Sequence, residues 1–231
     1  MLISGLQKLT LLDYPGRTAC TVFIGGCNYR CPFCHNAALV LRPSEQPTMS
    51  EDELFAFLSK RHGLLEGVCV TGGEPTLRAD LPEFLARIKV QGFLVKLDTN
   101  GSDPAMLAYI IEKGLADYVA MDIKASPEKY AAACGLPGYE PVRERESVRL
   151  LLEGRVDYEF RTTVVRGLHE PEDFDSIGGF IKGARRYFLQ GFRDSGDIVC
   201  PGMSACTKEE MLLMLARVRE YVQLAQLRGI D

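Results

Sequence analysis

The sequence predicts a single α/β domain built on a parallel sheet. Three observations carry this reading. Short β-branched or aromatic runs alternate with helical stretches through the chain. No linker, low-complexity tract or internal repeat interrupts the 231 residues. At 46% hydrophobic and 25% charged, the composition suits a globular chain with a sizeable core.

The first strand is "ACTVFIG", residues 19–25. A helix over 49–63 follows, with Ser50 as N-cap and Glu53 completing a capping box. "GVCVTGG" (67–73) is a second strand that ends in glycines. Residues 79–92 form a helix with Asp80 as N-cap, and "FLVKLDTNG" (93–101) is the third strand. The helix over 103–114 is capped by Asp103, with Pro104 at the first helical position, where a missing N–H costs nothing. "DYVAMDIK" (117–124) is the fourth strand, and 126–135 and 141–154 are helical. "DYEFRTTVV" (157–165) is the fifth strand, 170–183 a helix, and "RRYFLQGF" (185–192) the sixth strand. Residues 207–229 read as one long helix capped by Thr207. Six β/α units are too few for a complete eight-fold barrel. A partial barrel and a doubly wound open sheet both remain. The irregular stretch 193–206 is the longest late loop and a candidate binding surface.

The formal charge of −4 excludes the global basic field of a nucleic-acid binder. No apolar run approaches the roughly 18–20 residues that span a bilayer. The N-terminal stretch meets Lys8 and Asp13 before any signal-peptide cleavage pattern. A cytoplasmic location is therefore expected, with thiols kept reduced.

Eight cysteines are many for such a chain. Cys20 and Cys69 lie in apolar runs and read as small buried hydrophobes. Cys27, Cys31 and Cys34 are spaced C-x3-C-x2-C. Structural zinc takes four ligands, and His35, adjacent to Cys34, is poorly placed to share its ion, although a remote cysteine could complete the set. An iron–sulfur cluster is also normally held by four cysteines, so three would leave one iron open to a ligand. The other predicted strand ends are polar: Thr71-Gly72-Gly73-Glu74-Pro75, Asp98-Thr99-Asn100-Gly101, Asp122-Ile123-Lys124, Arg161, and Arg193-Asp194. In parallel α/β folds the chemistry gathers at that end of the sheet.

"CNYRCPFC", with "GGEP" on the next strand, resembles the signature of the radical S-adenosylmethionine superfamily. The stretch "GLQKLTLLDYPGRTACTVFIGGCNYRCPFCHN" (5–36) resembles the activating enzymes of glycyl radical enzymes. It is nearest to anaerobic ribonucleoside-triphosphate reductase activating proteins, with pyruvate formate-lyase activating enzymes next. The resemblance covers most of the chain. It implies a partial (β/α)6 TIM-like barrel, with residues 1–231 as one domain.

It further implies that Cys27, Cys31 and Cys34 hold a [4Fe–4S] cluster whose open iron chelates S-adenosylmethionine. Cleavage of the sulfonium would give a 5′-deoxyadenosyl radical that takes a hydrogen from a glycine of a partner enzyme. Flavodoxin or ferredoxin is the expected electron donor; nucleic acid and membrane are not expected partners. By the same resemblance, Phe33 lies near the adenine or shields the cluster. Glu74 meets the ligand's ammonium, with Gly72 and Gly73 letting backbone approach closely, Lys124 meets its carboxylate, and Asn100 and Arg161 lie against it. Asp98, Thr99, Met121 and Asp122 match a monovalent-cation site; the alternative is capping and salt bridging. The His-Glu-Leu-Gly stretch of pyruvate formate-lyase activating enzymes is replaced by "QGFRDSGD", which leaves the adenine and ribose contacts unassigned.

His62 and His169 read as surface or loop residues, and Cys134, Cys200 and Cys206 as structural thiols beside a single cluster. The partner is expected to dock near Arg193 and the rest of 193–206, where an incomplete barrel has no further strand. Two other readings accompany this one. A radical enzyme could act on another glycyl radical enzyme, a small molecule or a peptide. A structural metal or electron-transfer module would leave Glu74, Asn100 and Lys124 without a task.

Overall fold

The computed structural model describes residues 1, 3–194 and 196–230. Their strands form one sheet whose spatial order follows chain order. The edge strand β1 (Ile3–Thr10) runs antiparallel to β2 (Ala19–Ile24). The rest pair in parallel: β3 (Gly67–Gly72), β4 (Leu94–Thr99), β5 (Tyr118–Asp122), β6 (Asp157–Val164), β7 (Tyr187–Gly191) and β8 (Ala225–Arg228). The order and direction are those of a partial barrel rather than a doubly wound sheet.

The helices on the outside are α1 (Ala37–Leu41), α2 (Glu51–Ser59), α3 (Leu81–Val90), α4 (Pro104–Glu112), α5 (Tyr130–Cys134), α6 (Val142–Leu152), α7 (Asp173–Phe180) and α8 (Lys208–Val218). Side chains alternate along each strand. Cys20, Val22 and Ile24 of β2 and Val68 and Val70 of β3 join the buried apolar layer under the helices. The opposite face carries Thr21, Cys69, Lys96 and Glu159, all buried.

Local signals hold where capping chemistry was explicit. Ser50 with Glu53 and Thr207 with Glu210 form capping boxes on α2 and α8, and Asp103 accepts from the Met106 amide with Pro104 at the first turn of α4. Asp80 sits at the N-terminus of α3 without capping it; its carboxylate pairs instead with the Met1 amino group at 3.1 Å.

Three elements depart from expectation. β1 was not expected, because its middle residues are exposed and show no clean alternation. α1 was also unforeseen. The long helix expected over 207–229 ends at Val218, and its tail returns as β8. Leu, Gln, Ala and Arg favour a helix there, but the bare edge of β7 offers a ladder of unpaired backbone groups. Tyr221 packs tightly on α7, where a Cβ added at Gly178 would lie 2.4 Å from its ring. β8 also carries Arg228 to Glu159, whose side chain is only 1% exposed. The guanidinium binds both carboxylate oxygens, at 2.6 and 2.8 Å, and Tyr118 donates to the same group.

The idea that no strand follows the sixth predicted one is thereby corrected. The 193–206 loop leads into α8 and β8 and folds back over the upper face. The Cys200 amide donates to Pro32 O, the Arg166 amide to Ser204 O, and His35 Nε2 meets Arg193 O. The "LDYPG" turn lies at the other end of the sheet. Tyr14 is buried there against Tyr118, and a Cβ at Gly67 would stand 2.8 Å from its ring.

Arg228→Met should destabilise the protein by about 3 kcal/mol, the lower end for breaking a buried pair because the guanidinium is partly exposed. Urea unfolding of the cluster-free protein checks this. The double variant Arg228→Met/Glu159→Gln should recover most of the loss.

Candidate active site

The C-terminal ends of β2 to β7 surround a cavity of about 280 Å³. Cys27, Cys31, Phe33 and Cys34 line it from the loop after β2, and Gly72, Gly73 and Glu74 from the end of β3. Asp98, Thr99 and Asn100 come from β4 and its end, Asp122 and Lys124 from β5 and the residues after it, and Arg161 from β6. All the expected residues but Met121 therefore meet at one place. Thr163 and Gln190, which the sequence did not single out, complete the wall on β6 and β7.

The cysteine loop is held from several sides. Gly26 O accepts from the Glu74 amide at 2.8 Å, and Ile24 O from the Gly73 amide at 2.7 Å. A Cβ at Gly73 would lie 1.9 Å from Gly26 O, and one at Gly72, where φ is +121°, 2.3 Å from Ile24 O. The glycine pair is thus required first by the packing of β3 on the cysteine loop. Asn28 accepts from Asn100 Nδ2 at 2.9 Å and donates to Ser102 at 2.8 Å; the same Asn100 nitrogen reaches Cys27 Sγ at 3.9 Å. Tyr29, almost fully buried, donates to Glu144 of α6, which also accepts from Tyr139 at 2.8 Å. The Arg30 amide donates to Cys134 O.

Burial pushes the Cys27 thiol up to about 11 and the Cys31 thiol up to about 12. Metal insertion must therefore expel protons here. Among the described residues, no three His, Cys, Asp or Glu side chains converge on a single metal ion. In an iron–sulfur cluster each thiolate holds its own iron, so the three need not converge on one point. Cys20, Cys69 and Cys134 are buried, whereas Cys200 is exposed, so a structural role in the core applies to the first three and not to Cys200.

Glu74 is 1% exposed. Its Oε1 accepts from the Thr76 amide and hydroxyl and from the Thr99 hydroxyl at 2.8 Å, and its Oε2 from the Asn100 amide at 2.6 Å. These donors are neutral, and burial raises its carboxyl above the usual range. Around the same cavity runs a chain of alternating charge. Lys96 contacts Asp98 Oδ1, and Arg161 reaches Asp98 Oδ2 at 3.0 Å. Arg161 also binds Asp122 Oδ1, and Lys124 meets Asp122 Oδ2 at 2.8 Å. Burial alone would raise both aspartates; the Arg161 charge, with Lys96 or Lys124, more than offsets it and holds them below the carboxylate range.

The four residues expected to ring a monovalent cation thus keep other company. Both carboxylates touch two basic groups each, and the Thr99 hydroxyl is given to Glu74. Met121 points to the far face of β5, where its Cε would lie 2.1 Å from a Cβ at Gly101. Lys96 is the group the sequence reading missed. Its signal was a charge inside an apolar strand, two residues before Asp98 and so on the same face.

His169, expected at the surface or in a loop, lies in a loop but is only 1% exposed. Its Nδ1 accepts from the Val165 amide at 3.1 Å and its Nε2 donates to Lys124 O at 2.8 Å. Its ring stands edge-on to Phe33, with centroids 6.3 Å apart. The turn after β6 folds over the end of β5, which no local pattern announces. His62 is exposed, as expected, and stacks on Phe93.

A profile of the radical SAM superfamily matches residues 21–179, more than half of the chain. The chain belongs to the radical SAM superfamily. That family uses a [4Fe–4S] cluster and S-adenosylmethionine, and the donor set here fits both: three free thiols, acidic and basic side chains and a glycine pair line one cavity. A Methanocaldococcus jannaschii protein, provisionally named a glycyl-radical enzyme activating enzyme, is 34% identical over all of this chain and 97% of its own length. A Thermococcus kodakarensis protein, provisionally named GTP 3′,8-cyclase, is also 34% identical, over 65% of this chain and 48% of its own. In fold, the radical SAM chain resembles a domain of pyruvate-formate lyase-activating enzyme from Bacteroides vulgatus (TM-score 0.58, 18% identity, 71% of this chain and 99% of that one). It also resembles Streptococcus suis SuiB (TM-score 0.66, 14% identity, 90% of this chain and 49% of that one). Among the described residues no helix is long and apolar enough to cross a membrane.

Burial holds the His169 imidazole below its ordinary value of 6.5. The folded state binds this proton less readily than the unfolded chain. Its contribution is therefore complete above 6.5 and is lost as the pH falls below it. Between about pH 7.5 and pH 5.5 the loss from this group should be at most about 1.4 kcal/mol, read by denaturant unfolding of the cluster-free protein. His169→Gln, which keeps a donor and an acceptor, should remove that pH-dependent part.

Proposed function

We propose that this radical SAM enzyme activates a glycyl radical enzyme, anaerobic ribonucleoside-triphosphate reductase before the pyruvate formate-lyase type. One observation carries the placement of the ligand. The cavity is charge-matched to an amino-acid zwitterion: Glu74 makes no ion pair among the described residues, while the alternating chain holds three cations against two carboxylates. The activase class is supported by similarity to the M. jannaschii protein along 97% of its length, whereas the match to the cyclase spans about half of that protein.

In this reading Cys27, Cys31 and Cys34 hold the cluster. Glu74 Oε2, which accepts a single described bond, takes the ligand's ammonium. Lys124 donates to the ligand's carboxylate, and Arg161 backs it through Asp122. Asn100 fixes Cys27 and Asn28 rather than the ligand alone. Phe33 and Val40 keep water from the reacting end, and Thr163 and Gln190 offer polar groups to the nucleoside. When bound, the cluster and S-adenosylmethionine supply the one-electron cleavage and the 5′-deoxyadenosyl radical that removes a glycine Cα hydrogen.

Replacing Cys27, Cys31 or Cys34 with Ala should abolish the roughly 400 nm absorbance of the reconstituted protein, and replacing Cys200 or Cys206 should not. Glu74→Gln and Lys124→Met should keep the iron but bind S-adenosylmethionine about ten-fold or more weakly, as expected for a lost charge-assisted contact. Anaerobic incubation with candidate glycyl radical enzymes, read by electron paramagnetic resonance, tests the partner. A doublet on the reductase is the expected result, and its absence on every candidate refutes the activase reading.

A further inference from the structure

Lys96 lies outside the wall of the cavity and its side chain is only 2% exposed, so no ligand in the cavity touches it. Burying an ammonium is costly unless it is paired. Its partner is Asp98 Oδ1, and from there the contacts run without a break through Arg161 and Asp122 to Lys124. Five groups alternate in sign, positive at both ends. The chain carries one positive charge more than its carboxylates cancel. The inner end is closed: Cys69 Sγ stands 3.7 Å from Lys96 Nζ, and burial keeps that thiol protonated. The outer end, Lys124, opens on the cavity. An anion arriving at Lys124 completes the alternation.

We infer that Lys96 is a positioning residue that sets the affinity of the site for a ligand carboxylate from behind the wall. With Lys96 in place, Asp98 divides its attraction between Lys96 and Arg161. Arg161 can then hold Asp122, and Lys124 is left with charge to give to the ligand. Without Lys96, Arg161 and Lys124 merely cancel Asp98 and Asp122. The ligand carboxylate then meets a neutral group, and its attraction is lost although no contact to it has been removed. Asp98 is thereby paired with Lys96 and Arg161, and Asp122 with Arg161 and Lys124.

This inference rests on the placement of the carboxylate at Lys124, and the experiment separates the two. Binding of S-adenosylmethionine and of decarboxylated S-adenosylmethionine, which keeps the ammonium, is measured by calorimetry on reconstituted protein. Lys96→Met should weaken the first about ten-fold, the size of one charge felt at such a remove at an effective dielectric near 20, and leave the second unchanged. Lys96→Arg should behave as the parent protein. The double variant Lys96→Met/Asp98→Asn loses one charge of each sign, restores the single excess cation, and should recover most of the discrimination. It also carries the test where the single variant does not fold. Equal weakening of both ligands by Lys96→Met, no weakening of either, or a double variant without discrimination overturns the inference. If Lys124→Met fails to discriminate between the two ligands, the carboxylate lies elsewhere and the ligand placement itself is wrong. If Lys124→Met discriminates and Lys96→Met does not, the placement stands and the role of Lys96 falls.

Discussion

The carbonyl oxygen of Gly26 occupies the place where any other residue at position 73 would put its Cβ. Much of the upper face depends on that contact. It seats the end of β3 on the cysteine loop, so the Glu74 amide can donate to Gly26 O. The Glu74 side chain then turns under β4 and gathers the Thr99 hydroxyl and Asn100 amide. Asn100, held in that way, reaches back to Asn28 and Cys27. The cysteine loop and the wall that carries Glu74 and Asn100 are therefore one hydrogen-bonded unit. A methyl group at position 73 would push both apart.

The site was more legible in the sequence than the limits of the fold. Cysteine spacing, the glycine pair before Glu74, and polar residues at strand ends are all local, and each marks a backbone or charge requirement that one short segment must meet by itself. Capping at Ser50, Asp103 and Thr207 was legible for the same reason. What escaped depends on partners distant in sequence. His169 is buried because a turn after β6 folds over Lys124, 45 residues away. The tail of the chain has the propensity of a helix and the partners of a strand, and the partners decide. β1 is an edge strand with one dressed side, so its pattern is weak. Lys96 was visible as an anomaly, yet its meaning came only with Arg161 and Asp122 from two other strands.

The inner face of the barrel is a polar interior in which charges are matched rather than avoided. Glu159 is closed by Arg228, Asp98 and Asp122 by three basic groups, and Glu74 by neutral donors. Each arrangement leaves a different remainder. The first is complete and holds the far edge of the sheet. The other two are each one charge short of neutrality, with opposite sign, around one cavity. The proposed preference for a zwitterion rests on that arithmetic, with shape needing only to admit the ligand.

The sheet is laid down in the order in which the chain is made, each strand joining the edge left by the one before. Strands that follow one another in sequence are neighbours in space, although each parallel pair must close a crossover loop before its bonds form. One debt is carried through this process. Glu159 enters with β6, whereas its guanidinium comes 69 residues later with β8. Without β8, every strand that lines the cavity is present, but Glu159 lacks the guanidinium that closes it. The last strand is thus the step that turns an assembled site into a closed protein.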